Sequence, residues 1–287
     1  RPAVFVFGGS TTFGYNVRDA ETLVSHLQAA AESKFGIRPA TYNFGRGNYS
    51  SSEEMLLFAR LVFEGHRPDI AIFVDGLNEF QHAGQRDLTQ TGVLRQLYDN
   101  YDSTDLAHQF PRILAALPIT KALNWFAATI GLHHPDTGAA PPAAGKPAVT
   151  DPGIRASQIT LRLYQENRRI IRAIAKEMGI ETVFVWQPIP FYRYDLSHHP
   201  FRDTVPIWRA PGHVPGYQWV DARRNSGEMG RDFVWCADIQ DGVKRQVYVD
   251  SVHYTSAMNR IFADCIVEGL PNSVAKILRG FVTGRGG

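Results

Sequence analysis

The chain has 287 residues, 44% hydrophobic and 20% charged, a composition that fits a globular protein with a substantial core and excludes a disordered or fibrous chain. Thirty basic and 28 acidic residues leave a formal net charge of +2, with no basic run, which argues against nucleic acid or an anionic membrane surface as the main partner. No apolar stretch reaches the roughly 18–20 residues of a membrane span.

Residues 3–7 read as a short buried strand, ended by Gly8 and Gly9. This strand begins almost at the first residue. The expectation is that a leader or anchor precedes it and that the protein is exported or tethered to a membrane. Residues 19–35 read as a helix that Asp19 or Thr22 can cap, with Leu23, Leu27, Ala30, Ala31 and Phe35 at helical spacing. Residues 40–44 are a second strand, 50–63 a helix, and 69–75, "DIAIFVD", a third strand buried on both faces. The alternation resumes with a helix over 154–178, its inward side read as Ile159, Leu163, Ile170, Ile171 and Ile174. A fourth strand lies in 181–188, a fifth is placed at 245–250, "RQVYVD", and a closing helix at 256–270. Between strands three and four, residues 91–151 read as a helical, then Pro/Ala/Gly-rich insertion that forms a cap or lid within a single domain spanning 1–287.

Alternating strands and helices predict a parallel sheet wrapped on both faces. Ligands bind such sheets at the C-terminal ends of the strands. Those ends carry Gly8-Gly9-Ser10-Thr11-Thr12, then "NFGRGNYSS" (43–51), "DGLNEF" (75–80), Gln187-Pro188, and "DSVHYT" (250–255). Every end carries small or polar residues of catalytic type. Asp250 and His253 are three apart, a spacing that lets a carboxylate hold one imidazole nitrogen and leave the other as a base. Ser10 becomes a nucleophile only if such a base takes its proton. Backbone N–H groups of Ser10 and of the turn at Gly47 and Asn48, with the Asn78 amide, are candidate oxyanion donors. Gly76 and Gln187 are expected to line the substrate site.

Plainer readings stand beside these. Ser10 or Asn78 could cap a helix. A phosphate loop is disfavoured, because neither G-x-G-x-x-G nor G-K-[ST] is present. His133-His134 and His198-His199 lack ligand spacing, so no metal and no cofactor is expected. Phe191, Tyr192, Tyr194, Phe201, Trp208, Tyr217, Trp219 and Trp235 read as core anchors, or else as a platform for a sugar ring or acyl chain. Cys236 and Cys265 read as two buried thiols, or as a disulfide in an exported protein.

The blocks "FGGSTTFG", "DGLNEF" and "DSVH" resemble those of the SGNH hydrolases, the GDSL-type esterase/lipase superfamily, in their order from residue 3 to about 270 outside the insertion. Ser10 stands in the Ser block, Gly76 and Asn78 in the G-x-N core, and Asp250 and His253 in a full D-x-x-H. Gly9 replaces the Asp of G-D-S, Glu79 stands where Asp is usual, and the donor of the Gly block falls on Gly47 or Asn48. The resemblance implies a flavodoxin-like three-layer α/β/α fold, with five parallel strands in the order 2-1-3-4-5 and a helical insertion. It implies a serine ester hydrolase acting on small acyl or carbohydrate esters. The alternatives are an O-acyltransferase to a polysaccharide hydroxyl, and a catalytically inactive carbohydrate-binding or scaffold protein.

Overall fold

A computed structural model describes residues 1–81 and 151–283. The expected insertion at 91–151 lies, except for Asp151, outside the described residues. Five strands form one parallel sheet: β1 (Ala3–Gly8), β2 (Ala40–Gly45), β3 (Ile70–Asp75), β4 (Glu181–Trp186) and β5 (Phe233–Trp235), in the order β2-β1-β3-β4-β5. Helix α1 (Ser10–Phe13) follows β1 directly. Helices α2 (Leu23–Phe35), α3 (Ser51–Phe63), α4 (Pro152–Met178), α5 (His213–Arg223), α6 (Ser256–Glu268) and α7 (Asn272–Thr283) complete the described elements.

The register rests on a row of aromatic rings. Phe7 pairs with Phe44 on one side and Phe73 on the other, Phe73 with Phe184, and Phe184 with Phe233. Phe44, Phe7, Phe73 and Phe184 stack in sequence at centroid distances of 5.3, 4.9 and 5.3 Å. A one-residue slip of any strand would turn its phenylalanine to the opposite face, so the row selects a single register. This face packs on α3 and α4 through Met55, Phe58, Val62, Ile171 and Ala175. Val4, Val6, Ile72, Val74, Val183 and Val185 point the other way, into a core with α2, α6 and α7.

Two expectations are corrected. The fifth strand is Phe233–Trp235, not 245–250. Residues 247–255 fold back on themselves instead, with Val249 N–H donating to the His253 carbonyl and Thr255 N–H to the Val247 carbonyl. Both segments are short and apolar; the difference is that Phe233 extends the aromatic row. The buried stripe of α4 is also rotated from the expected one. Leu161, Tyr164, Asn167, Arg168, Ile171 and Ala175 face inward, while Ile159 and Ile170 are exposed. Polar residues hold the inward positions because they are paired: the Asn167 amide donates to the Ser51 and Ser52 hydroxyls, and the Arg168 guanidinium lies 4.6 Å from the Phe184 centroid. Hydrophobic periodicity therefore misphased the helix. Of the two readings of the cysteines, the structure has the disulfide: Cys236, just after β5, is bonded to Cys265, on α6, with a Cα–Cα distance of 6.1 Å.

Thr22 caps α2 by accepting from Ser25 N–H, and Ser50 opens α3 in a capping box with Glu53. The described helices include none long and apolar enough to cross a membrane.

Replacing the central ring of the row, Phe73→Ala, is expected to destabilise the fold by about 3–5 kcal/mol. Urea denaturation measures this. A loss under about 1 kcal/mol would show that the row does not hold the sheet.

Candidate active site

β1 delivers its last residues into a space with no room for side chains. A Cβ on Gly8 would sit 2.0 Å from Thr12 Oγ1, and one on Gly9 would sit 2.3 Å from Asn78 Nδ2. Gly9 caps α1, so Ser10 is its first residue, and Gly14 ends the helix at φ 94°. Ser10 is 9% exposed. Its N–H, at the first helical position, has no intrahelical acceptor.

The other half of the site is the tight loop at 250–253. Asp250 Oδ1 accepts the N–H groups of Val252 at 3.0 Å and His253 at 2.9 Å. These bonds curl the chain so that the imidazole faces its own carboxylate. His253 Nδ1 lies 2.7 Å from Asp250 Oδ2, and His253 Nε2 lies 2.8 Å from Ser10 Oγ. Burial by itself would raise the Asp250 carboxyl. The hydrogen bonds from the His253 ring and from the two N–H groups outweigh it and hold the group well below the usual carboxylate range. Asp250 therefore stays ionised beside the ring, which fixes the imidazole tautomer with its proton on Nδ1 and its lone pair toward Ser10.

The structure thus brings Ser10, His253 and Asp250 into one hydrogen-bonded line. The Asn78 amide nitrogen packs against Gly9 and donates to the Tyr49 carbonyl at 2.7 Å, which leaves its second N–H uncommitted among the described residues. The Gly47–Asn48 turn follows β2, with the Tyr49 N–H closing on the Arg46 carbonyl and Asn48 in the left-handed region at φ 62°. Neither Gly47 N–H nor Asn48 N–H donates a hydrogen bond among the described residues.

Two expected substrate-lining residues are placed otherwise. Gly76 is buried at φ 124°, its N–H donates to Glu79, and a Cβ there would meet Tyr217 Oη at 2.4 Å. Gln187 is buried behind the site. Its Oε1 accepts from Thr11 Oγ1 at 2.7 Å and from Tyr254 Oη at 2.9 Å, and its N–H donates to the Asp75 carbonyl. It joins the residue after Ser10 to the residue after His253, a cross-brace rather than a wall.

Most of the aromatics weighed as a platform also pack inward: Tyr192 and Tyr217 are buried, and Phe191, Trp219 and Trp235 lie half-buried against them. The exposed rings beside the site are instead Phe13 and Tyr15, edge to face at 5.1 Å, with Tyr15 5.3 Å from the His253 ring. Sequence reasoning passed over Tyr15, and also Asn16, which donates to Asp250 Oδ2. Their signal was position: both follow Ser10 within one short loop.

Beneath the site lies a cluster of buried acids. Glu79 is buried and accepts the N–H groups of Ser51 and Gly76, so it caps α3 while bracing the turn that carries Asn78. Asp75 and Glu54 are each 1% exposed. Burial drives both carboxyls well above the usual range, and the neighbouring Glu79 and Asp75 charges add to it. Glu79 is raised less, because its two N–H partners favour the carboxylate. Both carboxyl oxygens of Asp75 are buried without a hydrogen-bond partner among the described residues.

No protein-family model and no curated protein matches the chain. Among solved structures, it is similar to the lipase Lip_vut3 from a goat rumen metagenome, with a TM-score of 0.51, 10% identity, and coverage of 95% of this chain and 99% of that one. It is also similar to Est24, a carbohydrate acetylesterase from Sinorhizobium meliloti, with a TM-score of 0.50, 8% identity, and coverage of 96% and 100%. The chain shares the three-layer α/β/α fold of these proteins, with the sheet order 2-1-3-4-5.

The buried acids have a pH signature. Their pKa values are raised on folding, so the stability they allow is fullest below the unfolded value of about 4 and is lost as pH rises through the folded values. Glu54→Gln removes one such group. Its melting temperature, relative to wild type, is expected to be higher at pH 8 than at pH 5 in paired thermal melts; a pH-independent difference would refute the assignment.

Proposed function

We propose that this protein is a serine ester hydrolase that works through an acyl-enzyme, on esters of a small acyl group with a carbohydrate-like alcohol. The observation that carries the reading is the line from Ser10 Oγ to His253 Nε2 at 2.8 Å and from His253 Nδ1 to Asp250 at 2.7 Å.

In this mechanism His253 Nε2 takes the Ser10 proton as Oγ attacks the ester carbonyl. The negative charge on the tetrahedral oxygen is met by Ser10 N–H, the free N–H of Asn78, and an N–H of the Gly47–Asn48 turn. The imidazolium is stabilised by Asp250 and returns its proton to the leaving alcohol. Water, deprotonated by the same nitrogen, then attacks the acyl-enzyme, and the carboxylic acid and free Ser10 are released. The residues supply nucleophile, base and oxyanion donors, so the sequence of steps closes on this chain's own groups.

The leaving alcohol must depart past His253, the group that protonates it. Tyr15 and Phe13 flank that side with exposed rings. Aromatic faces and edges suit the apolar CH face of a sugar ring, which supports a carbohydrate alcohol. The fold shared with a carbohydrate acetylesterase supports the same reading. The Cys236–Cys265 disulfide fits an oxidising compartment, in keeping with an exported protein.

Intact mass after treatment with a fluorophosphonate tests the core of the proposal. One adduct on the wild type and none on Ser10→Ala is the expected result. On an acetyl ester that the wild type turns over, Asp250→Asn is expected to lower kcat by on the order of 10³–10⁴. A folded wild type that takes no adduct would sink the proposal.

A further inference from the structure

The loop that follows the nucleophile returns to the acid–base pair. Ser10's own carbonyl accepts the N–H groups of Gly14 at 3.1 Å and Tyr15 at 3.3 Å, so the loop hangs from the nucleophile's backbone. The next residue, Asn16, sits at φ 65°, a conformation that L side chains other than Asn and Asp seldom adopt. From there its Nδ2 donates to Asp250 Oδ2, the oxygen that also meets His253 Nδ1 at 2.7 Å. The contacts form a closed ring: Ser10 backbone, loop, Asn16, Asp250, His253, and back to Ser10 Oγ.

We infer that Asn16 is a positioning residue for the Ser10–His253 pair, acting through Asp250. This rests on the serine-hydrolase reading for its catalytic consequence, though not for its geometry. Two effects follow from one hydrogen bond. The first is orientation. Asp250 Oδ1 is already held by two backbone N–H groups, and the Asn16 amide holds the other oxygen, so the carboxylate cannot turn about its Cβ–Cγ bond. The imidazole that it steers therefore keeps its aim at Ser10. The second is electrostatic. A neutral donor on Oδ2 spreads the carboxylate's charge and weakens its pull on the imidazolium.

The surroundings leave this effect visible. Among the described residues, Asp250 faces His253, Asn16 and the ring of His199, and His253 faces Ser10 and Tyr15. No lysine or arginine within the described residues forms an ion pair with Asp250.

The backbone conformation supplies matched variants. Asn16→Gly accepts a positive φ without strain and deletes only the amide. Asn16→Asp tolerates the same φ and sets a second carboxylate against Asp250. Titration of His253 by NMR in the full chain is the primary measurement, because it needs no substrate. The apparent pKa is expected to rise in the order wild type, Asn16→Gly, Asn16→Asp. The acid limb of the rate of Ser10 labelling by fluorophosphonate is expected to move up in the same order. With an acetyl ester as substrate, kcat for Asn16→Gly should fall about tenfold with KM changed less than about twofold.

A residue that merely closes the loop would leave the His253 titration where it is. Unchanged titration in both folded variants overturns the inference, as does a shift in the reverse order. An ordered NMR shift in a wild type that never labels at Ser10 would leave the Asn16 brace standing and remove the hydrolase reading instead.

Discussion

The contact on which the site depends is the hydrogen bond between Ser10 and His253, which joins residues 243 positions apart in the chain. Local propensity cannot make such a contact. It exists because parallel strands all present their C-terminal ends at one edge of the sheet, and because the strand register sets how far each end reaches. The row Phe44–Phe7–Phe73–Phe184–Phe233 fixes that register. Packing deep in the sheet thereby sets, within the length of a hydrogen bond, where a serine at one strand end meets a histidine beyond another. The ends of β1 and β3 flank the point where the strand order reverses, the place at which open α/β sheets leave a crevice.

Above the aromatic row the interior changes character. Gln187, Asp75, Glu79, Glu54 and Tyr254 are buried between the core and the site, with Arg168 and Asn167 on the facing helix. Such groups are costly to bury, and an apolar filling would avoid that cost. What the polar layer supplies is direction. Glu79 ties the Asn78 turn to α3, and Gln187 ties Thr11 to Tyr254, so three strand ends are referenced to one another. Stability sacrificed for alignment is what a preorganised site requires.

Four of the five strands and most helix ends were legible because each signal is local: short apolar runs, and Thr22 or Ser50 at helix starts. Asp250 and His253 stood out by their spacing and Ser10 by its place after a strand end, and the structure puts the three side chains within hydrogen-bond distance. What failed was information that lives in three dimensions. Whether 245–250 or 233–235 joins the sheet is decided by which segment extends the aromatic row. The inward face of α4 was missed because Asn167 and Arg168 become core residues only through partners on α3 and the sheet. Gln187 looked like a site residue because it ends a strand. The structure turns its amide backward, to hold the neighbours of Ser10 and His253.

Gly9 shows how close the loops have come. A side chain at that position would meet Asn78 Nδ2 at 2.3 Å and the Tyr49 carbonyl at 3.2 Å, the two atoms that are hydrogen-bonded to each other across the site. The absence of a Cβ lets the end of β1 nest against this bond. The Asn78 amide is therefore held by the Tyr49 carbonyl on one side and packed against Gly9, the residue before Ser10, on the other. The Asp of the G-D-S pattern could not be placed here without displacing Asn78. The glycine there is thus the local condition for an Asn78 amide that lies against the residue beside Ser10, and the departure from the motif and the geometry of the site have one physical cause.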